Sequence, residues 1–153
     1  MKKILLFLIG CLLLSGCGKA EPVPTSSPTA APLYSFNLYY GDENAEKLLS
    51  EEVLVSELCA DVVVKELIRV GVLRDGIAVN KMLINGEQLE LDFNQAFADL
   101  LCSMGTSGEY IIVGSTVNSF LDAFNATSLI FTVNGEILET GHVIYDFPLY
   151  AMS

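Results

Sequence analysis

The sequence predicts an α+β domain with a mostly antiparallel sheet and helices packed on one face of it. The Asn-Gly pairs at 85–86 and 134–135 each separate two short extended segments, which is the strongest short signal of a β-hairpin. Segments 58–70 and 106–124 instead carry apolar residues at helical spacing. Hairpins interleaved with helices are typical of this class, whereas a doubly wound parallel sheet is built from long crossovers without tight hairpins.

The first part of the domain is predicted to form a strand, a short extended segment and a helix. Residues 33–40 are rich in aromatic side chains and partly alternate in polarity, which favours a strand, and 52–55 is a second extended segment. Ser56 is predicted to cap a helix whose apolar stripe continues to Val70. Gly71 is placed to end that helix.

The middle of the domain is predicted to contain a hairpin followed by two helices. Segments 79–84 and 88–93 flank the first Asn-Gly pair and form its strands. Asn94 is predicted to cap a short helix. Thr106 and Glu109 have the spacing of a capping box, which would open the longer helix.

The last predicted elements are a strand over 129–133 and a partner strand over 137–140, joined by the second Asn-Gly pair. The predicted order is therefore β-β-α-β-β-α-α-β-β.

The N-terminus has the pattern of a secretory signal. Two lysines precede an apolar run over 4–14, which is shorter than the about 20 residues that a membrane-spanning helix needs. Residues 14–17, Leu-Ser-Gly-Cys, resemble a bacterial lipobox. This resemblance implies cleavage between Gly16 and Cys17 and attachment of a lipid, detectable with palmitate, to the Cys17 sulfur. Residues 1–16 are therefore predicted to be a lipoprotein signal peptide.

Three parts of the chain are predicted from composition. Residues 17–32 comprise the lipidated cysteine and a proline-rich tether, since proline disfavours helices and sheet ladders. Residues 33–153 are long enough for one globular domain. We expect this domain to lie at the extracytoplasmic face of the cell membrane, held there through the lipid on Cys17.

The mature chain is strongly acidic. Removal of residues 1–16 leaves six Lys and Arg against nineteen Asp and Glu, a net charge of −13. Nucleic-acid binding depends on clustered cations, so a nucleic-acid partner is not expected. Attachment of the domain itself to an anionic membrane surface is disfavoured for the same reason.

Several segments together resemble the GerMN domain, which is named after a spore-germination lipoprotein. They are Leu38–Ala45, Leu91–Asn94 with asparagine where serine is usual, Val133–Gly135, Gly141–Val143 and Pro148–Leu149. The resemblance covers nearly all of residues 33–149. It implies a fold similar to the ring-building motif of sporulation and secretion assemblies. It also implies a part in envelope assembly, sporulation or germination, without assigned catalytic residues.

Sequence patterns of catalysis and metal binding are weak. His142 is the only histidine, and a triad with Ser119 and Asp122 lacks the glycine pattern of a nucleophile elbow. A calcium loop starting at Asp42 would lack glycine at its sixth position and an acid at its twelfth. We therefore predict no catalytic residues, no metal site and no cofactor.

Cys59 and Cys102 are the two cysteines of the domain. Both fall in apolar helical patterns, which favours buried free thiols, with a disulfide between them as the alternative.

Aromatic residues gather at the two ends of the domain sequence, and two interpretations remain open. In the first interpretation, the first strand and the C-terminal segment pack together in the core. Alternatively, Tyr39, Tyr145 and Tyr150 form an interaction rim, because tyrosine is enriched in interface cores.

The leading functional hypothesis is a non-catalytic, lipid-anchored interaction or scaffold module of the envelope, whose protein partner the sequence does not identify. A solute- or cation-binding lipoprotein is the alternative, and an enzyme that modifies the cell wall is a third hypothesis without a supporting motif.

Overall fold

The computed structural model describes residues 33–153; the predicted signal peptide, the lipidation site at Cys17 and the tether lie outside this range. Eight elements follow one another in the described part: β1 (Tyr34–Gly41), β2 (Leu48–Val55), α1 (Ala60–Arg69), β3 (Val79–Asn85), β4 (Gln88–Phe93), α2 (Gln95–Cys102), α3 (Thr106–Phe124) and β5 (Ser128–Val133). The predicted α+β class is confirmed. No helix of this range is long and apolar enough to cross a membrane.

The strands form two sheets. β1 and β2 pair antiparallel as a two-stranded sheet, in which β2 starts four residues earlier than predicted. The other sheet has the order β3-β4-β5. β3 and β4 are antiparallel, whereas β4 and β5 are parallel and are connected through α2 and α3. The sheets are therefore mostly antiparallel, with one parallel pair that the hairpin signals did not predict.

The first predicted hairpin forms, but its turn is shifted by one residue. Asn85 is the last residue of β3 and pairs with Gln88, so the two loop residues are Gly86 and Glu87. Only Gly86 has positive φ, at 64°. A loop with glycine in its first position and positive φ there alone corresponds to a type II′ turn, not the type I′ turn that Asn-Gly predicts. The Asn85 side chain instead donates to the Glu90 carboxylate.

The second Asn-Gly pair does occupy a turn, with φ of 51° at Asn134 and 81° at Gly135. The strand predicted after it, over 137–140, is wrong. A single bridge joins Val133 to Glu136, and β5 pairs along its length with β4, while Leu129 of β5 also forms a bridge to Leu149. The chain at 138–145 instead folds back on itself through a bridge between residues 139 and 144.

Two predicted helix starts are wrong. The first helix begins at Ala60 with Cys59 at its N-cap, because residues 56–59 turn the chain from β2 towards the helix, so Ser56 is not the cap. The N-cap of α3 is Gly105, and Thr106 makes no capping hydrogen bond. Asn94 stands at the N-cap of α2 as predicted, but its amide donates to the Gly76 carbonyl instead of capping the helix.

The C-terminal end of α1 is determined by the glycine that follows it. Gly71 has φ of 80°, and its N–H bonds to the Ile68 carbonyl while the Val72 N–H bonds to the Leu67 carbonyl. This pair of bonds is a Schellman motif, in which glycine adopts the left-handed conformation at no steric cost. The prediction that Gly71 ends the first helix is confirmed.

The core lies between the helices and the β3-β4-β5 sheet and is rich in phenylalanine. Phe93 stacks on Phe97 with ring centroids 4.1 Å apart, and Phe131 meets Phe97 edge-on at 5.5 Å. Phe120 of α3 closes the cluster against Phe93. Offset-stacked and edge-to-face arrangements are the favoured geometries of aromatic pairs.

Helix α3 also covers the free edge of β1. The backbone N–H of Asn37 donates to the Asp122 carboxylate at 2.6 Å, and that of Tyr39 donates to the Ser119 hydroxyl at 2.9 Å. The helix thus supplies, from its side chains, acceptors that a neighbouring strand would otherwise provide.

Candidate functional site

The triad drawn from the sequence is not assembled. Ser119 is fully buried and accepts the Tyr39 N–H, while Asp122 accepts two hydrogen bonds from Asn37. His142 is exposed and makes no side-chain hydrogen bond to either of them. The serine and aspartate therefore serve the packing of α3 against β1.

The acids and thiols of the described domain do not converge either. Among residues 33–153, no group of three or more His, Cys, Asp and Glu side chains could hold a metal ion. Asp42 accepts the Glu46 N–H at 2.7 Å within its own turn, and this hydrogen bond in particular lowers the pKa of the Asp42 carboxyl. Cys59 and Cys102 are free. The expectation that both are buried is wrong, because Cys102 is exposed at the end of α2 and Cys59 is half-buried.

The three tyrosines of the predicted rim lie in different environments. Tyr145 is only 6% exposed and packs against Phe131 with ring centroids 4.9 Å apart, so it belongs to the core. Tyr39 is half-buried and lines a shallow cavity with Asn118 and Asp122. Tyr150 is 63% exposed. The core interpretation therefore holds for Tyr145, and only the other two tyrosines present surface to a partner.

A cavity with an almost entirely apolar accessible lining lies between the start of α3 and the C-terminal segment. Its volume is about 200 Å³. Most of its lining side chains are apolar or aromatic, and they are contributed by α3 and by residues 142–152: Thr106, Glu109, Tyr110, Val113, His142, Val143, Tyr145, Phe147, Leu149 and Met152. We call this the α3 pocket.

Glu109 is the buried acid of the α3 pocket. It is 2% exposed, and its Oε1 accepts hydrogen bonds of 2.7 Å from both the Tyr145 hydroxyl and the Thr140 hydroxyl. Its Oε2 is buried and has no hydrogen-bond partner. Burial, followed by the hydrogen bond to Glu109 and the nearby negative charge, raises the pKa of Tyr145. Tyr145 is thereby held as a neutral hydrogen-bond donor.

Thr140 fixes the wall of the pocket opposite α3. Its hydroxyl accepts the backbone N–H groups of His142 and Val143 while it donates to Glu109. A chain of hydrogen bonds therefore runs from the first turn of α3 to the turn at 140–143. The two hydroxyls beside Glu109 are both used as its donors, and its Oε2 is closed off from solvent, so this carboxylate serves the packing of the C-terminal segment against α3.

Glu109 has the spacing of a capping box with Thr106, which does not predict its burial. A signal was present, because Glu109 precedes Val113 and Val117 at intervals of four and so lies on the apolar face of α3. An acid on an apolar face is rarely buried unless it is partnered, and its partners come from the distant C-terminal segment.

Comparison with solved structures identifies similar folds. A putative lipoprotein from Clostridium perfringens, solved at 2.5 Å, has a TM-score of 0.51 and 14% identity over 77% of this chain and 87% of its own. The tandem GerMN domains of the sporulation protein GerM from Bacillus subtilis have a TM-score of 0.58 and 17% identity over 86% of this chain. This chain spans 50% of the length of the tandem structure. At these identities the likeness shows the fold, which is similar to that of GerMN domains.

Comparison of the sequence adds nothing to the structural likeness. No family model matches the chain, and no curated protein matches it.

Proposed function

We propose that the chain is a lipid-anchored, non-catalytic interaction module of a bacterial envelope, linked to sporulation or germination assemblies. The observation that carries this proposal is the fold likeness to a putative lipoprotein and to the GerMN domains of a sporulation protein. The lipobox-like segment ending at Cys17 supports the anchor. A diacylated cysteine holds a protein at the membrane persistently, because each buried methylene contributes about 0.8 kcal/mol.

The mechanism of such a module is positional. Two-dimensional confinement by the lipid raises the effective concentration of the domain for envelope partners. The charge of −13 on the mature chain favours a partner with a basic surface, since complementary charge accelerates encounter and excludes other anionic proteins. The exposed Tyr150 and half-buried Tyr39 are the proposed contact residues, because tyrosine contributes large contact area at low entropic cost.

The anchor is tested with Cys17→Ser in cells labelled with radioactive palmitate. The wild-type chain should carry label and sediment with membranes, and the variant should lose both. The matched control is Cys102→Ser, which removes an exposed thiol of the domain and should leave labelling unchanged. Persistence of label and sedimentation in the Cys17→Ser chain would refute the anchor.

The partner is sought by placing a photo-crosslinking amino acid at position 150 in intact cells. We expect an envelope protein to be captured from this position and lost from a chain that also carries Tyr39→Ala. The same crosslinker at the exposed position of Glu57 is the control for surface exposure alone. If positions 150 and 57 capture the same proteins, or neither captures an envelope protein, the proposed contact surface is wrong.

A further inference from the structure

We propose that the α3 pocket receives one aromatic side chain, such as phenylalanine, from a basic segment of the partner protein. The inference rests on the proposed function, because it names the chemistry by which the module recognises its partner. Three observations carry it: the apolar lining of the cavity, the exposed apolar side chains at its rim, and the negative charge of the part of the chain that builds it.

The interior of the pocket suits an apolar side chain. Its accessible lining is almost entirely apolar, and the carboxylate beside it, Glu109, is closed off from solvent. Removal of apolar surface from water is the main favourable term in most protein association. The volume of about 200 Å³ is below the roughly 300–1,000 Å³ of pockets for drug-sized ligands, so the cavity suits a single large side chain.

The rim of the pocket exposes further apolar surface that a partner would cover. Tyr110 and Phe147 line the cavity and are 41% and 45% exposed, and Ile144, between two lining residues in sequence, is 51% exposed. Apolar side chains exposed together in this way mark an interaction site. The aromatic rings of the lining favour an aromatic anchor, since such rings pair in stacked and edge-on geometries and dominate interface energies.

Hydrogen bonds hold the C-terminal wall of the pocket in place. The Asn118 side chain of α3 donates to the Met152 carbonyl at 2.7 Å and accepts the Met152 N–H at 2.8 Å. The Tyr110 hydroxyl donates to the Ser153 carbonyl at 2.6 Å, and Leu149 bridges to β5. A preformed site loses little conformational entropy on binding, which favours measurable affinity from one anchor.

Charge selects the kind of segment that carries the anchor. All lining residues fall within 106–152, and residues 82–153 contain nine Asp and Glu but no Lys or Arg. Asp146 lies between two lining residues and is exposed, as is Glu139 beside the wall formed by Thr140. Lysines or arginines next to the anchor complement these charges, whereas a second copy of this acidic chain or an anionic bilayer is repelled.

The binding test uses the full-length chain in phosphatidylcholine nanodiscs, because free detergent would compete for an apolar cavity. Three synthetic peptides are titrated: one with a central phenylalanine between lysine pairs, one with serine in place of phenylalanine, and one with glutamates in place of the lysines. Methyl NMR signals of Val113 and Met152 report on the pocket itself. We expect the phenylalanine peptide to shift both signals and to bind at least about tenfold more tightly than either other peptide.

The pocket is also tested with Phe147→Ser, which removes an exposed ring of the rim and should weaken the phenylalanine peptide about fivefold or more. Tyr34→Ser is the matched control, because Tyr34 is 43% exposed and does not line the pocket. If Phe147→Ser does not fold, as checked by thermal unfolding, Tyr110→Ser replaces it with the same expectation. Asp146→Asn should weaken the peptide about two- to threefold, and Glu57→Gln, an exposed charge outside the lining, should not.

Other occupants of the pocket give different results without added peptide. Signals of Val113 and Met152 that shift with protein concentration indicate a second copy, and those that shift when Pro22 and Pro24 are replaced with serine indicate the tether of the chain itself. A shift on addition of phosphatidylglycerol to the nanodiscs indicates the bilayer. Each of these results would overturn the proposal, as would equal binding of the phenylalanine and serine peptides or no binding of either.

Failure of this inference is distinguishable from failure of the proposed function. If the phenylalanine peptide does not bind but position 150 captures an envelope protein, the interaction module stands and the pocket is not its contact. If the peptide binds with the expected preferences but no envelope protein is captured, the specificity of the pocket stands and the envelope role fails.

Discussion

Replacement of Tyr145 with phenylalanine should destabilise the domain by an amount that depends on pH. The substitution removes only the hydroxyl, whose single partner is the buried carboxylate of Glu109 at 2.7 Å. A hydrogen bond to a charged group contributes about 1.5–3 kcal/mol, and its loss leaves the carboxylate with one donor fewer. We therefore expect the free energy of unfolding to fall by roughly 2 kcal/mol at pH 7.

The pH dependence follows from the raised pKa of Tyr145 in the folded state. In the unfolded chain the hydroxyl ionises near pH 10, while the folded protein keeps it protonated. The stabilising contribution of Tyr145 is thus complete below about pH 10 and is lost above it, by about 1.4 kcal/mol for each further pH unit. The cost of Tyr145→Phe should accordingly shrink to roughly 1 kcal/mol or less at pH 11.

Urea denaturation of the wild type and the variant at pH 7 and pH 11 measures both quantities. Tyr150→Phe is the matched control, because Tyr150 is 63% exposed, and its substitution should change stability by no more than about 0.5 kcal/mol at pH 7. An equal cost of Tyr145→Phe at the two pH values would refute the argument that burial, together with the hydrogen bond to Glu109, holds Tyr145 protonated.

Three further predictions concern local packing, backbone strain and a surface carboxylate. Gly41→Ala should lower the free energy of unfolding by about 1–3 kcal/mol, measured by chemical denaturation, because the added Cβ would lie 2.6 Å from the Ile111 side chain. Gly141→Ala is the control and should lower it much less, because the added Cβ would meet open space. Ala45→Gly should raise stability by about 0.5–1 kcal/mol, since Ala45 has φ of 54°, and a lower unfolding midpoint would contradict this. Asp92→Asn should lower the free energy of unfolding by about 1–3 kcal/mol at pH 7 and by little at pH 2, measured by thermal unfolding. Burial of the Asp92 carboxyl opposes its ionisation, but hydrogen bonds from three donors together lower its pKa. The stabilising contribution of the ionised carboxylate is therefore lost as the pH falls below about 4.

The sequence predicted best what short segments determine by themselves. Glycine at position 71 ends α1 because the left-handed conformation is required there, and the alternation of residues 88–93 matches a strand with one buried face. The hairpin between β3 and β4 was located correctly as well. Its exact turn was not, because pairing of Asn85 with Gln88 moves the loop by one residue.

Features that depend on distant residues were not predictable from local pattern. The parallel pairing of β4 with β5 requires α2 and α3 to cross over between them. The second Asn-Gly pair instead favoured pairing of β5 with the segment that follows it in sequence. In the same way, Glu109 has acceptable capping spacing, and its burial is explained only by Tyr145 and Thr140, more than thirty residues later. The sequence indicated Tyr145 as a candidate interaction residue, but its burial in the core and its hydrogen bond to Glu109 were not predicted.

The cover that α3 places on β1 has a consequence for the order of folding. The amide of Asn37 finds its acceptor in Asp122, a separation of 85 residues, and that of Tyr39 finds its acceptor 80 residues away. Contacts so remote in sequence form slowly, because the intervening chain must close a long loop. During synthesis from the N-terminus, the free edge of β1 therefore stays uncovered until α3, in the last third of the chain, has emerged. Protection of these two amides from hydrogen exchange marks the moment at which α3 covers that edge.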